Sequence, residues 1–190
     1  TLYFGKSYMS AGSKRDIYSV RRLLNTDKDP VLSIWREGRA FLFENGGSQW
    51  QKGDYPGKEA FYEGVREERG RVVKRGDEII GVFAFTLTPE PSYITLKGSW
   101  LTDEGEYLTI HRSAVKREAM GKGVMSYILS YCLDKAREEG KKSVRIDTHK
   151  DNISMNKALE KNNFENRGTI ILLSGSEEGD ERLGYERLVD

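Results

Sequence analysis

The segment Met120-Gly121-Lys122-Gly123-Val124-Met125 sets two poor helix formers at the mouth of an apolar helical run. Glycine there could serve a tight turn, or could let a backbone come close to a phosphate-bearing ligand. At a helix start the first amides are unsatisfied, the positive end of the dipole lies behind them, and Lys122 adds charge. The fragment is too short for a P-loop and lacks the full Gly-x-Gly-x-x-Gly of a dinucleotide fold. On these residues alone, turn and anion cradle both stay open. The two histidines, His111 and His149, are the side chains best suited to take a proton at neutral pH; either could instead hydrogen-bond within a sheet. His111 shares strand alternation with Ser113 and Val115. Glu106 and Tyr107, on the same strand, are weaker candidates for a base. Trp50 and Tyr55 stand in a glycine-rich loop, where they could wall a pocket for a cation or plug the ends of helices. Trp100 and Tyr185 read as packing residues, and Cys132 as a core residue on a helical stripe. Residues 176–181, SEEGDE, read as a solvated hairpin tip whose charge could favour a cationic ligand.

These residues need elements to hold them. Residues 16–20 read as a strand. Asn25 or Thr26 caps a helix with Asp29 in its first turn, and Val31, Ile34, Trp35, Gly38, Phe41 and Leu42 recur at helical spacing up to about Asn45. The loop over 45–57 leads to a helix over 58–68. A hairpin follows through Gly76-Asp77, and the apolar run from Ile79 to Leu87 reads as a strand buried on both faces. After a strand over 107–115, the glycine turn opens a helix over 121–139. Val124, Ile128, Cys132 and Ala136 fall four apart on it, with Met125 and Leu129 beside them, and Gly140 ends it. A strand over 143–149, a helix over 152–163 and strands over 164–173 and 181–189 complete the chain. The strand–helix–strand unit around the glycines should be parallel, and the hairpins imply antiparallel neighbours. The expected fold class is α/β: a mixed, mostly antiparallel sheet with a central parallel strand–helix–strand unit and helices on both faces.

The bulk composition narrows the partners. In 190 residues, 31 basic and 30 acidic side chains leave a formal net charge of +1, which gives no general support for nucleic acid or a membrane surface. The length suits one domain over 9–190, able to bury a core without metal or disulfide staples, and no metal-ligand set is assigned. Residues 1–8, ahead of Met9, read as an appended leader rather than part of the fold. The single cysteine excludes an internal disulfide and fits a reducing compartment. Without a secretory signal or a run of about 20 apolar residues, the expected location is cytoplasmic.

HRSAVKREAMGKGVMSYIL, 111–129, followed by SVRIDTHKDNISMNKALEKNNF, 143–164, resembles the GNAT superfamily of N-acetyltransferases. The match covers the chain from about residue 71 onward, and the SQWQ, GVFAF and IDTHKDN segments resemble an uncharacterised bacterial subgroup of it. The resemblance implies transfer of an acetyl group from acetyl-CoA, as co-substrate, to a primary amine that attacks the thioester directly. It carries the family's pyrophosphate turn onto Met120, Gly121, Lys122, Gly123, Val124 and Met125, with Gly123 as the central glycine. Met120 replaces the usual Arg or Gln, and Met125 the usual Gly or Ala. Ser113, Ala114 and Val115 would pair their backbone with the pantetheine arm, and Asn152 matches the family asparagine near the cofactor. The tyrosine that many members use as acid falls on Leu159, so that acid is missing. His111 and His149 become the catalytic candidates, and Trp50 and Tyr55 the wall of the amine site. The implied partner is a small-molecule or peptide amine, with no nucleic acid and no membrane; dimers are common in the family, which allows a homodimer. Two other readings compete. One is an acyl-CoA-binding sensor or regulatory module that has lost transfer, and the other takes the turn as an ordinary nucleotide site.

Overall fold

The computed structural model describes residues 18–190, so the leader over 1–8 and the first two residues of the strand expected at 16–20 lie outside the described residues. The elements, in order, are β1 (Tyr18–Arg22), α1 (Lys28–Glu44), α2 (Lys58–Arg66), β2 (Gly70–Arg75), β3 (Glu78–Thr86), β4 (Lys97–Gly98), β5 (Tyr107–Val115), α3 (Val124–Glu138), β6 (Ser143–Thr148), α4 (Ile153–Lys161), β7 (Glu165–Ile171) and β8 (Glu181–Leu188). They build an eight-stranded sheet of order β1-β2-β3-β5-β6-β8-β7-β4. Only β5 and β6 pair in parallel; every other described pair is antiparallel. The expected fold class is the observed one.

The alternation of the strands separates two cores. On one face Val73, Ile80, Phe83, Phe85, Leu108, Ile110, Val144 and Ile146 pack under α3 and α4 through Ile128, Leu129, Cys132, Ala136 and Leu159. The stripe read from the helical spacing of α3 is therefore buried against the sheet. Each such aliphatic side chain contributes ~1.5–3 kcal/mol by leaving water. On the other face Val72, Val82 and Ala114 pack under α1 and α2 through Val31, Ile34, Trp35, Leu42, Ala60 and Phe61. β3, buried on both faces, joins the two.

Three local expectations are corrected. α3 begins at Val124 rather than 121, because Gly121 and Gly123 both hold left-handed backbone, φ 76° and 82°, which keeps the turn out of the helix. α1 begins at Lys28 after a 3-10 turn over Asn25–Asp27; Asp27 occupies the cap position, and its carboxylate is taken by Arg21 and the N–H of Leu24. A 3-10 turn over Pro91–Thr95 and the two-residue β4 fill the stretch that the sequence leaves without an element.

β5 pairs with β6 only over Tyr107–Thr109 against Ser143–Arg145. Both strands run on, to Val115 and Thr148, with their facing edges unpaired, so the sheet forks. The closed end of the fork is clamped by buried Glu186 on β8, which accepts from Arg145 Nε at 2.8 Å, Ser143 Oγ at 2.7 Å, Thr102 Oγ1 at 2.8 Å and the N–H of Leu101. The Arg145 guanidinium also lies over the rings of Tyr107 and Trp100, 3.7 and 4.2 Å from their centroids. Trp100 packs against Tyr93, Tyr107 and Ile170, and Tyr185 is buried in the main core, so both are packing residues, as expected. Glu186→Ala would leave Arg145 buried and uncompensated, at an expected cost of about 3–5 kcal/mol, read by urea denaturation.

Candidate active site

The open end of the fork continues into a cleft of about 1450 Å³. Its walls are the loop over 45–57, the end of α1, residues 86–92, both arms of the fork, the glycine turn and the loop over 174–177. Ser113, Ala114 and Val115 line it from β5, and Met120, Gly121, Gly123, Val124 and Met125 from the turn. Asn152 lines it from the start of α4, which it caps by accepting the N–H of Met155 at 3.2 Å.

Among the described residues nothing accepts from the backbone N–H groups of residues 121–126. They are the free donors of a helix start, with the dipole of α3 behind them. A Cβ at Gly121 or Gly123 would meet nothing within 4 Å, so the glycines are required by the left-handed backbone rather than by crowding within the chain. Tyr18 holds the turn from below, its hydroxyl donating to the carbonyl of Lys122 at 2.8 Å. This geometry fits a phosphate-bearing group at the turn and an extended chain along the unpaired edge of β5.

His111 reaches the cleft by a different route from the one its spacing suggests. Ala84 pairs with His111 while Val82 pairs with Ala114, so β5 carries one extra residue. Arg112 sits in that bulge with φ 49°. His111 therefore shares its face with Ala114, not with Ser113 and Val115, and the bulge lets Arg112 join it there. His111 Nε2 lies 3.2 Å from Thr86 Oγ1 and 3.9 Å from Glu90 Oε2. Burial, with the charges of Arg112 and Arg69, pushes its imidazole down to about 4, so it is neutral at physiological pH.

His149 lies outside the lining of the cleft. Its Nδ1 accepts the N–H of Asp151 at 3.1 Å, and its Nε2 contacts Ser48 Oγ at 3.1 Å. With both nitrogens occupied it fastens the loop over 45–57 to the end of β6. Gln49 works beside it, its Oε1 accepting from Thr148 Oγ1, the N–H of His149 and Asn152 Nδ2. Glu106 and Tyr107 are at the closed end of the fork; Glu106 pairs with Lys142 at 2.6 Å and Tyr107 is buried. Cys132 is fully buried, its thiol pushed up by desolvation.

Trp50 and Tyr55 divide the two roles proposed for them. Trp50 is a core residue against α1 that also shows an edge to the cleft. Tyr55 lines the cleft beside Arg112, and burial raises its hydroxyl while Arg112 opposes. The acidic tip over 176–181 is not all solvated: Glu177 turns inward, 6% exposed, where it accepts from the N–H of Trp50 at 3.0 Å. Arg182 Nη2 is 2.8 Å from Glu177 Oε2, close enough for an ion pair but not aligned for a hydrogen bond.

The residue most suited to hold a proton is one that the sequence reading passes over. Asp147, on β6, lines the cleft, and its Oδ2 accepts from Tyr93 Oη at 2.9 Å. Its Oδ1 has no donor among the described residues. Burial raises the carboxyl to about 6; the Tyr93 hydrogen bond and Arg182 oppose this, and Glu90 and Glu177 add to it. By strand alternation Asp147 is on the same face of the sheet as His111, on the other arm of the fork. The signal was present in SVRIDTH: Ser143, Arg145 and Asp147 form a polar row on one face of a strand whose other face is apolar.

A family model for the acetyltransferase (GNAT) family matches residues 32–164. No curated protein matches the sequence. Among solved structures, the chain is similar to a GNAT-family acetyltransferase from Streptococcus agalactiae 2603, with 25% identity, coverage of 91% of this chain and 96% of that one, and a TM-score of 0.77. It shares its fold with a GNAT-family acetyltransferase from Listeria monocytogenes 4b F2365, at 17% identity, coverage of 95% and 98%, and a TM-score of 0.68. It also shares it with an acetyltransferase from Salmonella typhimurium, solved with its cofactor acetyl-CoA, at 14% identity, coverage of 91% and 94%, and a TM-score of 0.59.

Proposed function

The chain belongs to the GNAT acetyltransferase family, and from that premise we propose that it moves an acetyl group from acetyl-CoA to a primary amine by direct attack. The observation that carries the reading is the fork between β5 and β6 ending at a turn whose amides over 121–126 have no partner. Those amides would hold the pyrophosphate, with Asn152 beside the chain that joins it to the thioester. The unpaired edge of β5 along Ser113–Val115 would hold the pantetheine as an added strand. Met120 and Met125 border this path through apolar contact, and the cradle itself is backbone, so neither departure removes it.

Acetyl-CoA supplies an activated thioester carbonyl, whose carbon bonds to the amine nitrogen as the carbon–sulfur bond breaks. Asp147 takes one proton from the incoming ammonium through its free Oδ1 and later releases it to water. His111, neutral, orients the amine from the facing strand. The second nitrogen proton goes to the departing sulfur, whose pKa of ~8.5, by analogy with cysteine, makes it a tolerable leaving group without an acid. No acid comes from α4 at the family's tyrosine position, since Leu159 is fully buried in the core. His149 and Gln49 position the loop that carries Trp50 and Tyr55.

Among the described residues no helix is long and apolar enough to cross a membrane. The proposal takes the protein as cytoplasmic, with a small-molecule or peptide amine as partner. Calorimetric titration tests it: acetyl-CoA should bind saturably and ATP should not, and an amine panel should release free CoA thiol. Binding without thiol release from any amine would identify a sensor instead, and no binding up to millimolar acetyl-CoA would overturn the reading.

A further inference from the structure

The acceptor end of the cleft is charged in two halves. Beside Asp147 on β6 stand Glu177 and Arg182, and Glu90 lies between the arms, felt by Asp147 and 3.9 Å from His111 Nε2. On the β5 side stand Arg112 and Arg69, and these are the charges that His111 feels. Arg69 is already paired, 3.2 Å from Glu67. Arg112 is not satisfied in the same way. Its side chain is only 13% exposed, and its nearest carboxylate, Glu63, lies 3.8 Å away, beyond hydrogen-bond distance. Beyond that pair it bonds the hydroxyl of Tyr55. A nearly buried guanidinium therefore faces the cleft with most of its donors unspent, on a residue held at φ 49° by the bulge. Non-glycine residues rarely keep that conformation without a return elsewhere, and a planar guanidinium fork matches a carboxylate.

Across the fork the complementary group is Asp147, whose Oδ1 is free to accept from an ammonium. Tyr55 bridges the halves: its hydroxyl feels Arg112, Glu63 and Asp147 together.

We infer that the acceptor is a free α-amino acid, its ammonium held at Asp147 and its carboxylate by the Arg112 guanidinium. The inference rests on the acetyl-transfer reading above and names its substrate class. A peptide amino terminus is the nearest competitor. It offers the same ammonium, but its first carboxyl is a neutral amide, which would leave the guanidinium short of an anion in a site removed from water.

The test separates binding from chemistry. The common L-amino acids, and the carboxamide of each, are titrated calorimetrically into the protein saturated with CoA, and the same panel is run for thiol release from acetyl-CoA. At least one amino acid should bind at least about 10-fold more tightly than its carboxamide, and Arg112→Gln should collapse that ratio to about 2-fold or less. Wild-type protein alone suffices should Arg112→Gln fail to fold, since the acid-to-amide ratio is read without it. No amino acid binding, equal affinity for acid and amide, or a preference that survives in folded Arg112→Gln would each overturn the inference. Turnover of amines without discrimination by the carboxylate would leave acetyl transfer standing and remove the amino-acid acceptor. Discriminating binding without turnover would overturn acetyl transfer and the acceptor role together, leaving only an amino-acid binding site.

Discussion

Gly123→Glu should weaken acetyl-CoA binding by at least about 100-fold, or ~2.8 kcal/mol, in a protein that still folds. Gly123 holds φ 82°, where a side chain costs ~1–2 kcal/mol of backbone strain, borne by folding rather than by binding. The new carboxylate would also stand among the free amides of residues 121–126, where a pyrophosphate is expected. A carboxylate and one phosphate about 5 Å apart near a protein surface repel by ~3 kcal/mol before screening. The space around the site is open, so the variant has no clash to resolve. Gly140 provides the control. It ends α3 at φ 70° with nothing within 4 Å of its Cβ, so Gly140→Glu carries the same kind of strain away from the cleft. Calorimetry should find acetyl-CoA affinity unchanged in Gly140→Glu and nearly lost in Gly123→Glu. Equal affinity in the two variants would mean that the turn does not hold the pyrophosphate.

Asp147→Asn should lower kcat by about 100-fold or more, the usual range for loss of a general base. The wild-type kcat/KM should rise with pH through about 6, where Asp147 ionises, and the variant should lose that limb while keeping the limb set by the amine. Stability should move the other way. The folded-state value of about 6 lies above the ordinary 3.8, so between these values the folded protein holds a proton that the unfolded chain has released. Stability therefore falls as pH rises through this window, and above about pH 6 the full cost of the buried charge is present, on the order of 3 kcal/mol. Removing the charge should raise Tm by several degrees at about pH 8 and change it little at about pH 4. A purely structural Asp147 would show the stability change without the loss of the kinetic limb. His111 has the opposite sign. Its imidazole is pushed down to about 4, so acid favours the unfolded chain between the ordinary 6.5 and that value. That stability is present at neutral pH and is lost as pH falls.

Much of the frame was legible in the sequence because it is set by short-range physics. The four-residue spacing of Val124, Ile128, Cys132 and Ala136 decides which side of α3 is buried, whatever it packs against. Gly121 and Gly123 mark a left-handed turn because other residues pay to adopt one. The apolar run of β3 announces a strand covered on both faces. From such signals the element order, the mixed sheet and the glycine turn at the mouth of α3 all follow.

The reactive end of the cleft was decided by tertiary structure. The bulge at Arg112 turns on how β5 registers against β3, and one inserted residue moves His111 to the opposite face from Ser113. His149 looked as available as His111 until Ser48, on the loop over 45–57, met its Nε2 and the N–H of Asp151 took its Nδ1. Glu177 reads as a solvated charge until Trp50 arrives from a distant part of the chain and Arg182, across the hairpin turn, pairs with it. The Asp147 carboxyl is raised to about 6 only because the fold buries it against Tyr93 and beside Glu90 and Glu177. Secondary structure answers to neighbours a few residues away, so it can be read along the chain. Proton affinity and charge pairing answer to whatever lies within a few ångströms in space, and here those groups come from residues 50 to 182.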